Sequence, residues 1–393
     1  MANKGGLIGN DNLFVPDAPT IGDASASNAE VSVAFTAPSD VGNDAITSFA
    51  ARATDGTNVF NGTASASPVT VSGLTNGTSY TAQVWAINGY GSGPLSAATS
   101  SFTPAAPIGI WSGGDTGSHS NVIDFVTIAS TGTAQDFGDQ TRISSQGSSV
   151  SSSTRGVMYL AQSNIGRVNE IDKITIASTG NATDFGDISN TRIATAGASN
   201  DTRGLFMGGT DGSEDETVDF VTIASDGNAS NFGDLSQARS YPMNGTSSSP
   251  TRAVAAGGDA SGITNVIDYR AIASAGNFSD FGDLTVSGGL GAACCSATRI
   301  IFAGINEGNT ICFITTASTG NATDFGDLNA SNGMGKTGVS SKTIGLIGGG
   351  ENAGNAIDKV TIATAANATD FGDLTVARRF MNGGVSSAHG GIA

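Results

Sequence analysis

Charge is scarce in this chain. Of its 393 residues, 13% are Asp, Glu, Lys or Arg, about half the usual share of a globular protein. The balance is acidic, 34 carboxyl residues against 17 basic ones, for a formal net charge of −17. A polyanion gains nothing from counterion release on nucleic acid and is repelled by an anionic bilayer, so neither partner is expected. Histidine occurs only at His119 and His389, each among Gly and Ser. With no Gly-x-Ser-x-Gly elbow, nothing supports a nucleophilic triad. Gly-rich stretches such as "GLIGGGENAG" lack the following Lys-Ser/Thr of a phosphate loop. Three cysteines, Cys294, Cys295 and Cys312, make no disulfide framework. A metal pair would need further ligands, and Cys294 and Cys295 stand where another part of the chain has Ser247 and Ser248, so they read as fillers of a small slot. No run of 18 apolar residues is present, and no basic segment leading into an apolar one opens the chain, so neither a spanning helix nor export is expected. The Asn-x-Ser/Thr sequons at Asn181, Asn321 and Asn367 therefore read as turn residues.

What fills the space is Gly, at 56 residues, about twice its usual share, together with Thr, Ser, Ala and Asn. That mixture suits many short strands joined by tight turns, an all-β chain. Residues 1–15, "MANKGGLIGNDNLFV", have too little apolar periodicity to fold alone and are expected to be an anchoring arm ordered by a partner or a neighbouring subunit. Residues 16–104 show short alternating runs. In "AEVSVAFTAP" Val31, Val33 and Phe35 share a face, and "AITSFAARATDG" is a second strand ending in a turn. In "PVTVSGLTNGTSYTAQVWAINGYGSGP", Leu74 and a Gly turn precede a strand with Tyr80, Ala82, Val84 and Ala86 on one face. This segment resembles a fibronectin type III domain, with Phe35 where that family usually has Trp. The resemblance implies a β-sandwich whose corner tyrosine, Tyr80, satisfies a nearby backbone group. Alternation sends Trp85 to the opposite face, where with Tyr90 it is a candidate ligand contact. The competing reading is an outer residue covered by its neighbour.

The rest of the chain repeats. "FGD" recurs with Phe137, Phe185, Phe232, Phe281, Phe325 and Phe371, at spacings of 44 to 49 residues. Each copy follows an apolar run such as "IDFVTIAS" or "IDKITIAS", and most are preceded by a Gly-rich strand such as "RGLFMGG". Four short strands at this period match one blade of a propeller. The last copy is followed by the opening of a seventh unit, "FMNGGVSSAHGGIA", while the first begins at "IGIWSGG" without that piece. The expected architecture is a fibronectin type III β-sandwich followed over residues 105–393 by a six-bladed β-propeller, one blade completed by both ends.

The order Gly-Gly doublet, aromatic strand, aromatic turn and Arg resembles kelch-type repeats, with Phe in place of Trp. "IASTGNATDFGD" resembles repeats in tail and other virion proteins of marine bacteriophages, and "GGLIGNDN" resembles their amino-terminal arms. The resemblance implies a non-enzymatic virion structural or adhesion protein, a tail or head fibre on the particle surface. Its partners would be other virion proteins through the arm and a host-surface glycan or protein, with a homo-oligomeric assembly. Blade-specific loops at 209–217, "GTDGSEDET", and 350–356, "GENAGNA", are the candidate contacts. The alternatives are a propeller glycosidase or lyase acting on host polysaccharide, and a bacterial surface adhesin.

The paired carboxylates of "NATDFGD" are the one chemical-looking motif. Asp184 and Asp187 have the spacing of an acid/base pair or of calcium ligands. The second Asp, however, recurs in every copy: Asp139, Asp187, Asp234, Asp283, Asp327 and Asp373. A residue that every blade carries serves something every blade needs, so the motif reads as a structural turn. There Phe plugs the gap between blades and Asp accepts backbone N–H bonds. No cofactor is expected, with calcium in the turns as the alternative. The Asp of "ID" (Asp124, Asp172, Asp219, Asp268 and Asp358, with Cys312 as the exception) is expected to bridge to a basic residue upstream: Arg155, Arg203, Arg252, Arg299 or Lys342.

Overall fold

The computed structural model describes residues 14–329, 333–351 and 354–392. Most of the expected arm therefore lies outside the described residues. The chain divides after Ala106 into two compact units. No helix among the described residues is long and apolar enough to cross a membrane.

The first unit is a two-sheet sandwich. One sheet pairs Thr20–Ser27, Glu30–Thr36 and Val69–Ser72, and the other orders Val59–Ala64, Ile46–Thr54, Thr81–Asn88 and Gly91–Ser92. Period-two alternation drives the packing: Val31, Val33, Phe35, Tyr80, Ala82, Val84 and Ala86 are all buried in one core with Leu74. The Tyr80 hydroxyl accepts the N–H of Thr75 at 3.1 Å, the backbone group the corner tyrosine was expected to satisfy.

The second unit is antiparallel β-structure assembled from six similar four-segment copies. Copy two is typical, ordering Ser148–Ser151, Arg155–Tyr159, Glu170–Thr175 and Thr183–Asp187 from inner to outer strand. Copy one takes its inner strand from the far end of the chain, where Gly384–Ser386 pairs with Ile108–Ser112. Copies five and six belong to one curled nine-stranded sheet, joined through parallel bridges of Asn244–Gly245 to Ala292 and Gly338. Inner strands read "SSVS", "AGAS", "AACC" and "TGVS" and are buried throughout, because only small side chains fit where backbones approach this closely. Cys294 shares this crowding: its thiol sits 3.4 Å from the carbonyls of Val339 and Leu346.

The Phe-Gly-Asp motif is not a turn. In every copy it lies in the outermost strand, and the strand bulges there. Asp172 faces Asp184 while Ile171 faces Gly186, so Phe185 is the extra residue. Gly186 has φ +148°, and a Cβ on it would sit 2.5 Å from the carbonyl oxygen of Gly227, so only glycine serves there. The bulge turns Phe137, Phe185, Phe232, Phe281, Phe325 and Phe371 inward, each no more than 3% exposed. Phe185 packs in one cluster with Val221 and Ile223 of the next copy, and Phe371 with Val126 and Ile128 of the first.

Candidate functional site

Three tiers of bonds join the copies, the outer and inner ones at every junction and the middle one at most of them, and all three link the sixth copy to the first. At the outer tier the backbone carbonyls of the Phe and Asp of one motif accept N–H groups of the following copy. Gly180 and Ala182 donate to Phe137 and Asp139, and Gly132 and Ala134 donate to Phe371 and Asp373. The N–H groups of Asp139, Asp187, Asp234, Asp283 and Asp327 donate to the side-chain oxygens of Asn181, Asn228, Asn277, Asn321 and Asn367 at 3.1 to 3.2 Å. The motif's Asp thus contributes its backbone, and among the described residues none of these six carboxylates accepts a hydrogen bond. That corrects the expectation of an Asp-capped turn: the acceptor is the Asn of "GNAT". Asp184 is exposed and Asp187 half-buried, and no group of three or more His, Cys, Asp or Glu among the described residues is placed to hold a metal ion.

The middle tier carries the buried charge. The "ID" carboxylates do meet arginines, but not the ones expected. Arg192 pairs with Asp219 and Arg378 with Asp124, both at 2.9 Å, and Arg239 pairs with Asp268, all six side chains fully buried. These arginines follow the Phe-Gly-Asp motif of the preceding copy. Arg203, Arg252 and Arg299 instead stack on Phe220, Tyr269 and Phe313. Ser189, Ser236 and Thr375 also donate to the three arginine-paired carboxylates. The remaining three junctions lack the arginine. Where the arginine position holds Gly288, the Asp is Cys312, so cation and anion are lost as a pair. Where it holds Ser144, Asp172 relies on the N–H and hydroxyl of Thr141, and burial pushes its carboxyl up. Where it holds Gly333, Asn329 bonds Asp358, and Lys336 reaches the Gly333 carbonyl. Burial brings the Lys336 ammonium down to about 8, against the pull of Asp358 and Glu307.

At the inner tier six residues form a ring. Gln146, Ala194, Tyr241, Leu290, Gly335 and Phe380 all have φ between +50° and +79°. Each donates its N–H to the carbonyl of its counterpart one copy back, at 2.7 to 3.1 Å, and Gln146 donates to Phe380. Five non-glycine residues in the left-handed region store strain of order 1 kcal/mol each. The ring encircles a small cavity of about 30 Å³, room for one or two waters, whose wall includes Asn244, Lys336, Thr337 and Met381. Asn244 donates to the carbonyls of Gly147 and Met381, while its own oxygen and the Thr337 hydroxyl have no partner among the described residues. Above them Tyr241, Leu290 and Phe380 are half-buried. Burial raises the Tyr241 phenol, keeping it a neutral donor.

The loop candidates reach this ring. Thr210 of the 209–217 segment bridges to Ile193, next to Ala194, and the N–H of Glu351 donates to Met334, next to Gly335. Residues 352 and 353 of the second loop lie outside the described residues. The backbone supplies the ring, so no motif announced it; the available signal was six different residues at one position of an otherwise repeated frame.

Elsewhere, Trp85 is half-buried opposite Ala50, and Tyr90, 60% exposed, packs its ring 5.5 Å from Phe14. One further pair was not legible in sequence. Cys295 lies 4.0 Å from His389 Nδ1, which accepts the N–H of Gly391, while Nε2 faces the Ser151 carbonyl. Both side chains are buried, so the thiol is closed to substrate.

No curated protein matches the chain. A crystal structure of domains from titin is similar over 23% of this chain and 32% of that one, at 25% identity and a TM-score of 0.21; the chain thus spans about a third of the titin chain it matches. The family model of the fibronectin type III domain matches residues 17–102. With the sandwich and corner tyrosine described above, residues 17–102 are a fibronectin type III domain.

Proposed function

We propose that residues 107–393 form a closed six-bladed, kelch-like propeller that binds a ligand without chemistry, carried by the fibronectin type III domain as a spacer. Closure is supported by the three tiers of bonds that return from the sixth copy to the first. The observation that carries binding is the inner ring. On a scaffold built by repetition, its six equivalent positions bear six different side chains, with half-buried aromatics over unpartnered polar atoms. The cavity wall holds no carboxyl group, whereas glycoside hydrolysis needs two, so this site favours binding over cleavage. The setting is the one the repeat wording implies: a bacteriophage particle, with the protein as a structural or adhesion component facing a host-surface glycan.

The test combines place and ligand. Labelling purified particles with antibody to this chain should decorate head or tail. On a glycan array the protein should retain neutral oligosaccharides, and Tyr241→Ala should weaken that retention at least tenfold with an unchanged melting curve. Release of shortened oligosaccharides from host capsule would instead identify an enzyme.

A further inference from the structure

Near the outer edge of four junctions, an arginine reaches the next copy. Nη1 of Arg155, Arg203, Arg252 and Arg299 donates to the carbonyls of Ile223, Ile272, Thr316 and Ile362. Between copies two and three, the third copy adds two carboxylates. Asp226 pairs with Arg155 at 2.9 Å and also with Lys173, and Asp201 accepts the N–H of Ser153 at 2.7 Å. Counting from the shared motifs, the same two positions in copy six are Ala365 and Lys342. One carboxylate has become a methyl group and the other an ammonium.

Between copies five and six lies a cleft of about 260 Å³, lined by Ser296, Ala297, Thr298, Arg299, Lys342 and Ala363. Its wall has two cations and no carboxyl group, in a chain of net charge −17. Phe313 holds the Arg299 guanidinium at 4.2 Å, and exposed Lys342 has no acidic partner among the described residues. Two like charges on one wall are stabilised by an anion between them. Copies two and three supply that anion internally.

We propose that this cleft binds the carboxylate of an acidic sugar, which takes the place Asp226 holds between copies two and three. The volume suits a single sugar ring, and the exposed Thr298 is placed for its hydroxyls. The proposal rests on the glycan-binding reading above.

Isothermal titration of the full chain with hexagalacturonate, with a neutral galactose hexamer and with hexaglutamate tests it. Hexagalacturonate should bind at one site per chain and weaken with salt. Lys342→Glu should abolish this binding without moving the melting curve. Asp226→Ala, which uncovers Arg155 and Lys173, should raise the stoichiometry from one to two. Binding that survives Lys342→Glu, equal binding of hexaglutamate, no second site in Asp226→Ala, or no binding of the uronate at all would each overturn the proposal. Neutral-hexamer binding lost in Tyr241→Ala reports on the ring separately, so failure of the cleft and failure of the glycan reading are distinguishable.

Discussion

Asp172 and Asp219 occupy the same position in neighbouring copies, both buried, yet they meet different partners. Asp219 faces the fully buried guanidinium of Arg192, and removing its charge strands that cation. Asp219→Asn should therefore cost about 3–5 kcal/mol in urea unfolding at neutral pH. Asp172 has no salt-bridge partner among the described residues: Thr141 bonds it, and burial, with Glu170 and Asp184 nearby, raises its carboxyl in the fold. A raised folded value means that its stabilising share is complete below the unfolded pKa and is lost as pH rises through the folded one. Asp172→Asn should leave stability at neutral pH within about 1 kcal/mol of the wild type or above it, and should flatten the dependence on pH through the acidic range. Equal losses for the two variants would show that the arginine is irrelevant.

At the scale of the strand, the outer bulge is the device that joins copies. It needs a glycine with φ near +150° so that the carbonyls on either side can face the next copy. Five copies add an Asn side chain as acceptor for the Asp N–H; copy one has Thr133 there, and no side chain accepts from the N–H of Asp373 among the described residues. Thr133→Asn should supply the missing bond and raise stability by about 0.5–1.5 kcal/mol. Chemical denaturation compared with the wild type checks it, and a loss would mean the Asn serves only its own turn. The period and the Phe of this element were plain in the sequence, because repetition is visible without structure. That it is a bulged strand was not, since Gly beside Asp signals turns far more often than bulges.

For the whole repeat unit, the proposed closure rests on Gly384–Ser386 lying beside Ile108–Ser112. The buried Trp111 adds a bond from its Nε1 to the Thr337 carbonyl of copy six at 3.1 Å. A chain ending at residue 383 should lose the cooperative unfolding transition of this unit while the fibronectin type III domain keeps its own. Differential scanning calorimetry separates the two outcomes, and an unaltered high-temperature transition would remove the closing strand from the stability argument.

Alternation within residues 16–104 and the 44-to-49-residue period beyond them determined the all-β class and the six similar copies, while the sandwich with its Tyr80 corner was implied by the resemblance to fibronectin type III domains. Those features are local or repeated, so each residue reports its own environment. The partners of buried charges were decided only by tertiary structure: "ID" aspartates take their arginines from the preceding copy, from Arg192 and Arg239, not from the nearby Arg203 and Arg252. The ring from Gln146 to Phe380 and the cleft at Arg299 and Lys342 are equally non-local. They are built where copies meet, by backbone geometry and by departures from the repeat, and a single strand's sequence holds no record of what its neighbour brings.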